Sequence, residues 1–164
     1  METKEKQVIE TLEKLGIAYQ RLDHPPVYTV EQAREQTGHL PGVHCKNLFL
    51  RNKKGKRHYL VVMEESKRAD LKALTRKLGE DNLSFASEKR LKKYLNLEPG
   101  AVSPFGLIND AERSVQVIVD SDLQNPETIY FHPNVNTATI GISGEDWNKF
   151  LQSTGHRIRY MDMD

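Results

Sequence analysis

The sequence predicts an α/β fold: a single domain over residues 1–164, with a mixed, largely antiparallel sheet flanked by helices. Three observations carry that expectation. Short apolar runs such as Tyr59-Leu60-Val61-Val62-Met63 have the length and composition of strands. Most of these runs are joined by tight turns, which favours antiparallel neighbours over a doubly wound sheet. Between them lie segments with apolar residues at helical spacing, several opened by capping residues.

Taken in order, Lys4 to Leu15 carries Val8, Ile9, Leu12 and Leu15 on one helical face, and Gly16 stops the helix. Ile17 to Leu22 alternates as a strand does, and Asp23-His24-Pro25-Pro26 breaks it, because neither proline can donate a ladder hydrogen bond. Thr29 with Gln32 forms a capping-box pattern for a short helix ending near Gly38. Lys46 to Arg51 and Arg57 to Met63 predict a β-hairpin around Asn52-Lys53-Lys54-Gly55-Lys56. A helix is expected over Ser66 to Leu78, and Ser87 caps a second basic helix through Leu95. Pro99-Gly100 opens a central loop. Strands are expected over Ser114 to Asp120, Thr128 to His132 and Thr137 to Ser143. Ser143 then caps a helix carrying Trp147, Phe150 and Leu151, and a strand near Arg157 to Met161 closes the fold.

Hydrophobic content of 37% with 29% charged residues places the chain with globular proteins and excludes a disordered one. Its apolar runs fall far short of the roughly 20 residues that a membrane span needs. Met1 to Lys6 leads into a charged helix, not an apolar signal core. The single cysteine, Cys45, forms no internal disulfide and suits a reducing compartment, so a cytoplasmic location is expected, with no membrane partner. The net charge of +1 hides a sorting of charges: residues 44–93 hold fifteen Lys and Arg against six Asp and Glu, or +9, which leaves −8 for the remainder. Such asymmetry points either to a face that meets a polyanion or to a solvated surface that keeps the protein soluble.

Three stretches can build a small polar pocket. In Cys45-Lys46-Asn47-Leu48-Phe49-Leu50, Lys46 opens an apolar strand, where lower dielectric strengthens its charge toward a phosphate or carbonyl; the alternative is a lysine that snorkels to water. Asn47 adds a donor and an acceptor, or else makes purely structural bonds. Gly100-Ala101-Val102-Ser103-Pro104-Phe105-Gly106 is a loop that can offer backbone groups to a ligand, with small Ala101 and Ser103 leaving the approach open; it is equally readable as a tight connection. His132 in His132-Pro133-Asn134 can orient a water or shape a pocket wall, or serve as a hydrogen-bonded structural histidine. Cysteine catalysis is rejected, since adjacent His44 and Cys45 point opposite ways on an extended chain. The histidines show no metal-ligand spacing, and no phosphate-binding glycine loop follows a strand, so neither a metal nor a nucleotide cofactor is expected.

In order, Pro26-Val27-Tyr28-Thr29, Cys45 to Leu50, Gly100 to Asp110 and His132-Pro133-Asn134 resemble the ProX branch of the YbaK/ProX family of aminoacyl-tRNA editing deacylases, related to the editing insertion of bacterial prolyl-tRNA synthetases. The resemblance spans nearly the whole chain. It implies a free-standing hydrolase without a cofactor that deacylates mischarged Ala-tRNA(Pro), releasing alanine and free tRNA. It implies catalytic roles for Lys46, Gly100 and Ala101. Asn47, Val102, Ser103, Pro104 and His132 would bind the substrate. The implied partners are the tRNA(Pro) acceptor stem, met by Lys67, Arg68, Lys72, Arg76 and Lys77 with Lys89, Arg90, Lys92 and Lys93 as further candidates, and transiently prolyl-tRNA synthetase; a monomer is expected. Cys-tRNA(Pro) as substrate, a non-catalytic tRNA- or synthetase-binding module, and a small-molecule binder are the competing readings.

Overall fold

In a computed structural model, residues 3–164 are described; the sequence reading of Met1 and Glu2 lies outside them. Helix α1 (Thr3–Lys14) buries Val8, Ile9 and Leu12, as its periodicity requires, and Gly16 ends it at φ +72°. Ile17, expected to open a strand, instead stays with the helix end, its N–H bonded to the Leu12 carbonyl at 2.9 Å. Strand β1 (Gln20–Asp23) follows. Helix α2 (Val30–Thr37) is capped by Thr29 Oγ1, which accepts from Gln32 N at 3.1 Å, while Gln32 Oε1 reaches back to Tyr28 N at 2.8 Å. The capping box forms with its return bond one residue earlier than in the standard motif.

Strands β2 (Val43–Arg51) and β3 (His58–Glu64) make the expected hairpin. Buried Asn52 organises its turn, since Asn52 Oδ1 accepts from both Lys56 N and Arg57 N at 3.0 Å. Helix α3 (Leu71–Leu78) starts later than expected, because Ser66 and Lys67 are turned back onto Glu64 and Asp70 supplies the cap. A short strand β4 (Ser84–Phe85) precedes helix α4 (Glu88–Leu95), capped by Ser87. Pro104–Asn109, read as loop, is a 3-10 helix. Strands β5 (Val115–Asp120), β6 (Thr128–Phe131) and β7 (Ala138–Ser143) follow, then helix α5 (Gly144–Thr154) capped by Ser143, and strand β8 (Ile158–Met161).

The strands form one mixed sheet in the order β1-β7-β6-β2-β3-β5-β8, with β4 beside β2. Four pairings are antiparallel and three, β2–β6, β3–β5 and β5–β8, are parallel. Parallel neighbours need crossovers, which α3 and α4 supply between β3 and β5. Strand alternation then sorts the core. Phe49, Leu60, Val62, Val117 and Val119 join Phe105, Trp147 and Phe150 on one face, and Leu50, Tyr59, Val61, Met63 and Ile118 pack beneath α3 on the other. Among the described residues no helix is long and apolar enough to cross a membrane.

Candidate active site

Strand β2 is shared between two partners, and the site opens where it changes hands. Val43 and His44 pair with Ile129 and Tyr130 of β6, whereas Cys45 onward pairs with β3. Beyond His44 the β2–β6 ladder stops, and Cys45 and Asn47 border a chamber of about 40 Å3 with Phe131 and His132. This chamber adjoins a wider cleft of about 230 Å3 that brings together Lys46, Asn47, Gly100, Val102 and His132. Residues separated by some ninety positions thus line one cavity. Thr29, Val30 and Ala33 close its other side from the start of α2.

The remaining predicted loop residues lie elsewhere. Ala101 is buried, borders a neighbouring cleft and spends its N–H on the Glu98 carbonyl at 3.1 Å. Ser103 and Pro104 are buried: Ser103 Oγ accepts from Phe105 N at 3.1 Å to start the 3-10 helix, with Pro104 in its first turn. Both shape the loop from beneath, which leaves Gly100 and Val102 as the loop residues on the cleft. Gly100 is required there, since its φ is +86° and a Cβ would lie 3.0 Å from Tyr28 Cδ1.

His132 Nδ1 donates to the Ala138 carbonyl at 2.9 Å, so the lone pair of the neutral ring sits on Nε2. Burial pushes its pKa down, partly opposed by that carbonyl, and nearby His24 adds to the depression. His132 is therefore a neutral acceptor at pH 7. Asn47 Oδ1 is buried with no hydrogen-bond partner among the described residues, an arrangement that costs stability unless a ligand or water completes it. Burial, followed by the charges of Glu64 and Glu65, raises the Cys45 thiol well above its ordinary value. His44 stacks on Tyr130 at 4.7 Å and its Nε2 donates to the Leu40 carbonyl at 3.0 Å. A thiolate nucleophile has no support here.

Sequence reasoning missed Glu65. Its side chain is only 13% exposed, it borders both the cleft and the inner chamber, and it pairs with Arg34 at 3.1 Å. Glu64-Glu65 at the end of an apolar strand was the available signal, but nothing in the chain says which of the two turns inward. Among the described residues no cluster of His, Cys, Asp or Glu could hold a metal ion.

The basic segment is less open than its sequence suggests. Lys67 is 14% exposed and enclosed by Asp120, Asp122 and Asp164 at 2.9, 2.6 and 3.0 Å. Burial opposes its charge, but the hydrogen bonds to these carboxylates overcome that and raise its pKa. Lys77 Nζ donates to the Asp162 carbonyl at 2.6 Å, and half-buried Arg90 donates to Gly55 O and approaches His58 Nε2, both at 3.0 Å. Aspartates from outside the segment thus offset part of its charge. Arg68, Lys72, Arg76, Lys89, Lys92 and Lys93 remain exposed, although Lys92 pairs with Glu98 at 3.3 Å.

Known proteins resemble this chain in sequence and in fold. Residues 24–150 match the aminoacyl-tRNA editing domain family. The chain is 43% identical over 156 residues to the prolyl-tRNA editing protein ProX of Acetoanaerobium sticklandii, covering 95% of each. It is 39% identical over 161 residues to prolyl-tRNA synthetase associated domain-containing protein 1 of Danio rerio, covering 97% of this chain and 87% of that one. A crystal structure provisionally assigned as a trans-editing enzyme for prolyl tRNA synthetase shares the fold, with a TM-score of 0.74 at 20% identity and coverage of 100% and 98%. A match that takes in Lys46, Gly100 and His132, the residues gathered around one cleft, leaves a single conclusion: the chain belongs to the aminoacyl-tRNA editing domain family.

Proposed function

We propose that this deacylase edits in trans for prolyl-tRNA synthetase, hydrolysing alanyl-tRNA(Pro) to alanine and free tRNA. The observation that carries the reading is the inner chamber of about 40 Å3, beside Asn47 and His132. It is the smaller of the two adjoining cavities, and a small recess beside a wider cleft suits a methyl side chain better than a pyrrolidine ring. A synthetase pocket built for proline rejects alanine weakly, because each missing methylene is worth only ~1–3 kcal/mol, and a second, smaller pocket completes the sieve.

In this reading water attacks the ester carbonyl, a tetrahedral oxyanion forms, and the ribose oxygen leaves with a proton. Lys46, or a backbone N–H of the Gly100 loop, stabilises the oxyanion; Lys46 can alternatively hold the terminal phosphate. The substrate's α-ammonium repels Lys46 and is met instead by Glu65 and the unpartnered Asn47 Oδ1. The neighbouring ribose hydroxyl assists proton transfer. The exposed cations of α3 and α4 attract the acceptor stem.

Turnover of alanyl-, cysteinyl- and prolyl-tRNA(Pro) tests the proposal. Alanyl-tRNA(Pro) is hydrolysed and prolyl-tRNA(Pro) spared, and Lys46→Ala lowers kcat by about 10²–10³ or more with an unchanged melting curve. Preference for the cysteinyl ester, or full activity of Lys46→Ala, overturns it.

A further inference from the structure

Tyr28 stands out among the described large hydrophobic residues: it is 69% exposed although its backbone is firmly held. Val27 beside it is buried, with Val27 N bonded to Asn136 O at 3.2 Å and Asn136 Nδ2 to Val27 O at 3.0 Å. His24 N reaches Thr137 O at 2.9 Å, and Tyr28 N is held by Gln32 Oε1. The ring rests close to Gly100, where an added Cβ would meet it at 3.0 Å. Tyr28 and Gly100 form a ridge common to two cavities. On one side is the cleft of Lys46 and His132; on the other is an open cleft of about 740 Å3 bordered by Glu98, Ala101, Asn134 and Asn136.

We infer that Tyr28 is the stacking platform for the 3′-terminal adenine of the tRNA, with the second cleft receiving that nucleoside while its ester enters the first. The inference rests on the proposed function for its ligand. Three features favour this occupant. An exposed aromatic ring on a fixed backbone stacks a base at little entropic cost. The second cleft holds Lys4 against Glu88 and Glu98, with Lys4 and Glu98 3.8 Å apart, a balance that suits a neutral base and ribose hydroxyls better than phosphates. Asn134, 3% exposed and held at φ +62°, has both amide atoms unpartnered among the described residues, and a carboxamide matches the donor–acceptor edge of adenine.

The probe is a short CCA oligonucleotide with 2-aminopurine as its 3′-terminal base, which keeps the purine face but not the 6-amino group, so the fall in its fluorescence reports stacking on Tyr28 and not the Asn134 contact. Wild type and Tyr28→Phe quench it; Tyr28→Ala binds about tenfold or more weakly and does not quench, and its KM for alanyl-tRNA(Pro) rises by a similar factor. Absence of quenching with wild type, or quenching and KM unchanged in Tyr28→Ala, overturns the inference. The two readings fail separately. Tyr28-dependent quenching without turnover of any ester removes the deacylation reading and keeps the base site. Turnover with quenching indifferent to Tyr28 does the reverse.

Discussion

Arg34 Nε donates to Glu65 Oε1 at 3.1 Å, joining the exposed side of α2 to the residue that follows β3 at the mouth of the cleft. The two partners differ in environment: Glu65 is 13% exposed and Arg34 51%. The carboxylate is therefore the member whose charge is felt inside the cavity. Glu65→Gln keeps its shape and removes that charge. With alanyl-tRNA(Pro), KM should rise about tenfold while kcat changes less, the loss expected for one charge-assisted hydrogen bond to an ammonium. Arg34→Ala should move KM by no more than a few-fold, since a half-exposed pair contributes only ~0–1 kcal/mol. Equal KM values for wild type and Glu65→Gln would remove Glu65 from substrate recognition.

Gly100→Ala probes the loop. The position has φ +86°, and the new methyl would press on Tyr28 Cδ1 at 3.0 Å. Left-handed backbone costs a non-glycine residue ~1–2 kcal/mol, so the loop relaxes by shifting its backbone groups in the cleft. The expected outcome is a drop in Tm of several degrees together with a loss of kcat/KM larger than the stability change explains. Denaturation and steady-state kinetics on the same preparation separate the two, and unchanged kinetics would show that the loop backbone takes no part in the reaction.

Lys67 and the exposed cations in and just ahead of α3 should behave differently. Lys67→Met leaves Asp120, whose side chain is fully buried, without its ion-pair partner and should cost about 3 kcal/mol in urea denaturation, with little change in the salt dependence of tRNA binding. Replacing Arg68, Lys72 and Arg76 together by Ala should leave stability nearly intact. It should flatten the log–log salt slope by roughly 2, as expected for three lost phosphate contacts. If the slope is unchanged, these residues form only a solvated face.

How far the sequence could be read depended on whether a feature was local. Thr29, Ser87 and Ser143 cap their helices where the pattern put them, because a cap is decided within a few residues. Lys46, Gly100 and His132 were legible as parts of a small polar pocket and do share a cleft, but each alone had an ordinary structural reading, and their roles came from the resemblance. Three-dimensional neighbours stayed hidden. Ser103 and Pro104 turn inward because Ser103 caps a 3-10 helix with no strong sequence signal. Lys67 meets aspartates 53 and 55 residues away, and the C-terminal Asp164, none of which charge counting over residues 44–93 includes.

His58 should give the fold a measurable pH dependence. It is buried between Phe49 and Tyr94, at ring separations of 5.7 and 4.1 Å, and Arg90 Nη1 lies 3.0 Å from its Nε2. Burial first, then the charges of Arg90, Arg51 and Lys93, lower its pKa from 6.5 to about 4. The unfolded chain therefore binds a proton that the folded chain refuses between those values. The stabilising contribution is fully present above pH 6.5 and is lost as pH falls toward 4, amounting to about 3 kcal/mol at most. His132, depressed in the same direction, adds to the loss. His58→Gln keeps a polar acceptor but does not titrate, so its urea stability should fall between pH 7 and 4.5 by about 2 kcal/mol less than that of wild type. Parallel losses in the two proteins would mean that His58 takes up its proton in the folded state as readily as in the unfolded chain.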